Sequence, residues 1–386
     1  MIQPLSAGLL VGIVGYASTF ALVLKGLQMV GATQEQAASG LLAVLLVKGC
    51  LAIGLSLRTR MPISIAWSTP GAALLISTGM PEGGFPVAVG AFLLVAVLLV
   101  AAGLWTPFGR AVASIPLPLA SAMLAGILFG ICTAPVRAAA ALPWLAIPVI
   151  LVWALALRFA RPYAVPLAVL LTAVLVAVAT PLPPAALADL MPRPVFVMPA
   201  FSLDAAIGIA VPLFIVTMAS QNVPGLAVLR ANGYRPAVGP IFVATGLASG
   251  LAGLFGGHTL NLAAITAALC AGPEAHPDPA KRYLAGVAAG ATYVVLGLLA
   301  SLAAAFVVAS PPLLIESVAG LALLGSFAAA LQTALSREED RMPAAVAFVT
   351  AASGTSFFGI GAAFWGLVAG GALMWLFRTG LRPRVS

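Results

Sequence analysis

Two stretches decide how this chain is read: PISIAWSTPGAALLIST at residues 62–78 and LFGGHTLNLAAITAALCAG at residues 254–272. Both are too short and too polar for ordinary bilayer spans, yet both interrupt long apolar sequence. Each reads as a short extended strand followed by a half-helix. In the first, Ile63 to Trp67 is β-branched and extended in character. Ser68 or Thr69 suits a helix cap, and Pro70 suits the first turn, where its missing amide donor is no loss. Thr69 to Thr78 is ten residues, or about 15 Å of helix, half of a hydrocarbon core about 30 Å thick. In the second stretch Thr259 or Asn261 is predicted to cap a helix of the same length running from Asn261 to Cys270. Each helix is therefore expected to begin near the membrane midplane.

The rest of the chain requires a membrane. Of its 386 residues, 62% are apolar and only 7% are charged, against about 25% charged in a soluble domain. Apolar runs between polar or Pro/Gly breaks predict an all-α polytopic membrane protein of fourteen transmembrane segments, with 63–79 and 258–272 as the third and tenth. Fourteen spans of about 20 residues leave no room for a soluble catalytic domain. Residues 107–114 read as a short interfacial helix. With the N-terminus in the cytoplasm, 14 of the 18 basic residues fall on cytoplasmic edges, only Lys25, Arg137 and Arg193 fall outside, and Lys48 is left within a span. That is a strong positive-inside pattern, and it places both termini in the cytoplasm. Losing either short segment as a crossing would invert everything after it and spoil the pattern.

Fourteen segments divide as a 7+7 inverted repeat: residues 1–180, a Pro-rich linker at 181–199, and residues 200–386. The broken segments then occupy the same place in each half, which is the sequence pointer to a transporter's binding site. Gly/Pro-rich spans also serve as plain packing devices, which is the competing explanation. In an inverted pair the two half-helix N-termini face each other, each with unpaired amide donors and a partial positive charge. Together they make an anion site without a fixed cation, expected between residues 68–71 and 258–262. Its contacts would be Ser68, Thr69, Gly71, His258, Thr259 and Asn261.

ISIAWSTPGAALL, and GGHTLNLAAITAALCAG followed by EAHPDPAKRY, resemble signatures of the bacterial benzoate:proton symporter (BenE-type) family, over nearly the whole chain. That family is related in architecture to uracil and sulfate permeases. The resemblance implies proton-coupled import of benzoate across the inner membrane. It also implies a core domain from about 5–105 and 203–309, a gate domain from about 106–180 and 311–378, and a homodimer.

Few polar side chains lie deep in the spans, and an intramembrane ionisable group is a functional candidate by default. His258 directly precedes the second half-helix, and an ordinary imidazole titrates near 6.5. It is read as an anion contact or proton-coupling group, with a neutral histidine holding backbone carbonyls as the alternative. Gln221 and Asn222, in VTMASQNVPG, are substrate contacts or polar packing between helices. Where the related nucleobase permeases have an acidic residue in this region, Gln221 offers an amide that donates to a carboxylate. Glu316 and Asp204 are further coupling candidates, both near an interface where a solvated role competes. Tyr16 could reach the site, with Phe20 and Trp67 as ring neighbours. Lys48 is assigned charge balance or snorkelling rather than substrate contact.

Other chemistry finds no footing. There is no HExxH, Walker A or nucleophile elbow, so no enzyme is expected. Cys50, Cys132 and Cys270 show no metal-ligand spacing, and neither metal nor cofactor is expected. The expected partners are an aromatic carboxylate, a proton and the bilayer, not nucleic acid. The rivals are another small anion or a nucleobase on the same fold, and an uncoupled anion channel.

Overall fold

The computed structural model describes residues 2–105, 107–109, 115–179, 191–355, 357 and 360–378. Residues 110–114 of the expected interfacial helix and 181–190 of the expected linker lie outside them.

The protein is mostly helical. The first crossing is broken into α1 (Ile2–Ala17) and α2 (Phe20–Met29). A capping box at Thr33 and Gln36 opens α3 (Gln34–Thr59), satisfying two amide donors reciprocally. Then come β1 (Ile65–Trp67), α4 (Thr69–Thr78), α5 (Phe85–Leu104), α6 (Leu117–Cys132), α7 (Ala134–Ala141), α8 (Pro143–Phe159) and α9 (Ala164–Ala179). After the linker, α10 (Leu203–Ala231) is a single rod carrying two π-helical turns, Ala206–Ala210 and Met218–Asn222. It is followed by α11 (Val238–Gly253), β2 (Leu260–Leu262), α12 (Ile265–Ala271), α13 (Tyr283–Gly297) and α14 (Ala300–Ala309). The axis bends by 61° between α13 and α14. The chain closes with α15 (Pro312–Ala334), α16 (Arg341–Ala352) and α17 (Ala362–Arg378).

Among the described residues seven helices are long and apolar enough to cross a membrane, or eight if the bent pair is one span, and shorter apolar helices accompany them. Helix packing falls into two groups. In one, α3 and α1 pack on α13, and α5 packs on α11; in the other, α6 packs on α15 and α16, and α16 on α17. Small residues permit close helix crossings. A Cβ on Gly49 would lie 2.6 Å from the Gly290 carbonyl oxygen, and one on Gly290 would lie 2.6 Å from that of Gly49. Such backbone approach replaces the hydrophobic drive that helix pairs lack in lipid.

Both broken segments are a strand followed by a short helix. The strands pair antiparallel, with Ile65 opposite Leu262, Ala66 opposite Asn261 and Trp67 opposite Leu260. The first half-helix runs Thr69–Thr78 with Ser68 as its cap, as the sequence predicts. The second departs from expectation. It begins at Ile265, not Asn261, and spans seven residues. The reason is the sheet: Asn261 is held extended by strand pairing, and the Ala263 N–H is drawn to the Ser64 carbonyl at 2.9 Å. Neither Thr259 nor Asn261 caps a helix.

Candidate functional site

The site is built around the crossing of β1 and β2. A two-stranded sheet leaves open edges, which lipid does not tolerate. Side chains close the edge of β2. The Leu260 N–H donates to Ser249 Oγ at 2.9 Å, and the Leu262 N–H donates to Asn222 Oδ1 at 2.9 Å. The ladder continues past the strands, with the Ser68 N–H donating to the Thr259 carbonyl at 2.9 Å. The crossing is therefore rigid, pinned from α10 by Asn222 and from α11 by Ser249.

Ser68 lies at its centre. Its hydroxyl oxygen accepts the Gly71 N–H at 3.2 Å, and the hydroxyl pairs with Thr217 Oγ1 at 2.8 Å. This alters the expected supply of free donors at the first half-helix. Pro70 has no N–H, Gly71 gives its own to the cap, and Ala72 gives its own to the Ser68 carbonyl. Thr69, half-buried, carries the first-turn amide not engaged in these bonds. Gly71 is fixed by space: a Cβ there would sit 2.4 Å from Leu213 Cδ1 and 2.8 Å from Ser68 Oγ.

On the other strand, His258 Nε2 lies 3.1 Å from the Ser68 carbonyl oxygen. A carbonyl only accepts, so Nε2 carries the hydrogen and a neutral ring leaves Nδ1 as an acceptor. Asn261 donates its amide N–H to the Leu262 carbonyl at 2.7 Å. His258 Nδ1, Thr259 Oγ1 and Asn261 Oδ1 are all buried without a hydrogen-bond partner. Native interiors leave few such atoms unmatched; here three fall within four consecutive residues.

An aromatic wall stands beside them. Tyr16, half-buried, stacks on Phe20 with centroids 5.0 Å apart and planes at 8°, and lies 6.4 Å from Trp67. Trp67 Nε1 donates to Thr19 Oγ1 at 2.9 Å, at the break between α1 and α2. The sequence's three ring candidates are thus brought together.

The other candidates scatter. Gln221 is half-buried on the second π-helical turn of α10, while Asn222, beside it, is wholly buried with its oxygen on the β2 backbone. Glu316 lies at some remove, between Lys25 Nζ at 3.6 Å and Arg137 at 3.7 Å. A cavity of about 240 Å³ opens there, lined by Ala21, Ile76, Ser77 and Ile127 among others. Asp204 is exposed in the first turn of α10. Among the described residues no group of His, Cys, Asp and Glu is arranged to hold a metal.

Lys48, given charge balance or snorkelling from the sequence, does not snorkel: it is 1% exposed, with Nζ 3.5 Å from the Trp67 ring centroid and 3.6 Å from that of Tyr293. Its position one residue before Gly49 was the available signal, since the tight α3–α13 approach carries it inward. Sequence reading also missed Thr217 and Ser249. Each is a hydroxyl on an apolar helix, a pattern too common to single out.

Residues 2–376 match the family described as benzoate membrane transport protein. The chain is 40% identical over 372 residues to inner membrane protein YdcO of Escherichia coli (strain K12), covering 95% of this chain and 94% of that protein. It is 32% identical over 380 residues to the benzoate membrane transport protein of Acinetobacter baylyi (strain ATCC 33305 / BD413 / ADP1), covering 98% and 95%. Among solved structures, the transmembrane domain of the cyanobacterial bicarbonate transporter BicA is similar at a TM-score of 0.57 and 14% identity, with 98% of each chain covered. The murine anion transporter Slc26a9, in its inward-facing state, is similar at a TM-score of 0.65 and 15% identity, covering 99% of this chain and 69% of that one. These two likenesses show the fold alone.

Proposed function

The chain belongs to the benzoate membrane transport family, and we propose that it imports benzoate, or a similar aromatic carboxylate, together with a proton. It is a membrane transporter, not an enzyme. The observation that carries the proposed site is the run of three buried, unpartnered polar atoms on His258, Thr259 and Asn261, opposite the cap of α4. In this proposal the carboxylate lies between residues 68–71 and 258–261. Thr69 N–H and the Thr259 hydroxyl donate to it, Gln221 approaches from α10, and the Tyr16–Phe20 wall flanks the ring. Asn222 positions β2. Two of the three unpartnered atoms, His258 Nδ1 and Asn261 Oδ1, are acceptors in the neutral state. A bare carboxylate would be repelled by them, so an anion fits this stretch with a proton or a water between.

The proposed frame is a fourteen-segment 7+7 inverted repeat in the inner membrane, with both termini cytoplasmic. The antiparallel run of the two broken segments supports it. The core comprises about 5–105 and 203–309, and the gate about 106–180 and 311–378. The two helix-packing groups support that division. The core moves against the gate to alternate access, and the cavity beside Lys25 and Glu316 is the outer approach to the site.

Energetics favours coupling. An aromatic acid with a carboxyl pKa of about 4 is anionic at pH 7, and an interior-negative potential opposes its entry. A cotransported proton makes the step electroneutral. Uptake of labelled benzoate into proteoliposomes tests this: an inward proton gradient should drive accumulation. Uptake indifferent to that gradient would sink the symport, and inhibition by uracil or sulfate but not by unlabelled benzoate would reassign the substrate.

A further inference from the structure

Lys48 is the one lysine of three in the chain that lies wholly inside the protein. A buried charge is ordinarily matched by an opposite one, yet among the described residues no carboxylate pairs with it. Lys25 on α2 and Lys281, by contrast, each face an acid, Glu316 and Asp278. What faces Lys48 instead is a pair of ring surfaces, Trp67 and Tyr293, each within 3.6 Å of Nζ. Ring faces attract a cation, so the seat is built for an ammonium but stops short of neutralising it.

The surroundings are otherwise almost free of charge. Of the elements packed on α3, β1, α11 and α14 carry no titratable residue. α2 brings Lys25, which is engaged by Glu316. α13 brings Tyr293, and Tyr283, which is engaged by Arg60. α3 itself carries Cys50 two residues on, with Glu35 and Arg58 toward its ends; beyond these, His258 is close enough to interact electrostatically with Lys48, and Cys270 with Tyr293. Trp67 directly precedes Ser68, the cap of the proposed carboxylate site, and neighbours Tyr16 through its ring. Lys48 is thus one aromatic layer from the anion.

We propose that Lys48 is the group that carries the coupled proton, the bound carboxylate supplying the opposite charge that its aromatic seat lacks. The inference rests on the proposed benzoate site. A proton from the outer aqueous phase binds the Nζ lone pair as the carboxylate arrives, and the ammonium–carboxylate pair crosses with no net charge. The carboxylate then leaves on the inner side, Nζ gives its proton to the inner aqueous phase, and the empty carrier returns neutral. Anion and proton each raise the affinity for the other, because linkage between two binding events is reciprocal. His258 does not fill this place as well. Its Nε2–H is committed to Ser68, and a second ring proton would put an imidazolium beside a strand without an aromatic seat.

The wild-type protein tests the proposal without relying on a variant that folds. Lysine labelled with 13C at Cε and 15N at Nζ gives three signals from three lysines, and Lys25→Arg and Lys281→Arg identify Lys48 by elimination. In nanodiscs above neutral pH, the Lys48 signal should change from amine to ammonium when saturating benzoate is added at constant pH. A signal in the same state with and without benzoate overturns the proposal. In proteoliposomes Lys48→Met should lose the stimulation of uptake by an inward proton gradient; retained stimulation overturns it equally. Calorimetry on the wild type separates the two levels. If benzoate binds and Lys48 does not change, only this proposal falls; if benzoate does not bind, the proposed function falls with it.

Discussion

His258 donates its Nε2–H to the Ser68 carbonyl across 3.1 Å, so a side chain of one broken segment holds the backbone of the other at the point where the first half-helix begins. Removing it leaves the Ser68 carbonyl with the Ala72 N–H as its remaining partner, and the loss of one such hydrogen bond costs about 0.5–1.5 kcal/mol. His258→Ala should therefore lower the melting temperature in detergent as well as abolish uptake. His258→Gln, which keeps an amide donor, should recover much of the thermal stability without restoring transport. Equal stability of His258→Ala and wild type would show that the bond does no structural work.

Asn222 separates positioning from contact. Its Oδ1 accepts the Leu262 N–H at 2.9 Å, and loss of that acceptor strands a buried donor at about 1–3 kcal/mol. Asn222→Ala should lose thermal stability and transport together. A raised KM for benzoate with an unchanged melting temperature would instead make Asn222 a substrate contact.

The aromatic wall predicts a selective defect. Tyr16 stacks on Phe20 at 5.0 Å, and ring pairs contribute about 0.5–1.5 kcal/mol beyond their buried area. Tyr16→Leu should raise the KM for benzoate by roughly two- to twelve-fold, while inhibition by small aliphatic carboxylates stays nearly as before. Competition assays check this; an equal loss for both classes would remove Tyr16 from the ring pocket.

The ion cluster of Lys25, Arg137 and Glu316 joins helices assigned to different moving parts. Its contacts, at 3.6 and 3.7 Å, are loose and partly exposed, and such pairs contribute about 0–1 kcal/mol. Glu316→Gln should hardly change stability, yet it should speed labelling of a cysteine placed at Ser77, which lines the adjoining cavity. Unaltered labelling would mean that the cluster does not hold the outer side closed.

Much of this was legible in the sequence because it is local. Pro70 beside Ser68, and ten residues before Gly79, fix the start and length of the first half-helix without reference to anything else. The second segment carries equally local signals, and they misled. Asn261 and Thr259 have the chemistry of caps, but strand pairing with Ala66 and the edge bonds from Asn222 and Ser249 hold the chain extended there and delay the helix to Ile265. Tertiary hydrogen bonds overrode a local preference. Lys48 was visible as a mid-span charge, but its surroundings depend on Trp67 and on Tyr293, 245 positions further along the chain. No spacing rule joins those three residues; the helix crossing at Gly49 and Gly290 does.

The central claim is that the carboxylate sits at the strand crossing, and an electron cryomicroscopy map of the protein saturated with benzoate tests it most directly. The account predicts density for the carboxylate between Ser68–Gly71 and His258–Asn261, with the ring beside Tyr16 and Phe20. Benzoate density elsewhere, with the crossing empty, would contradict it.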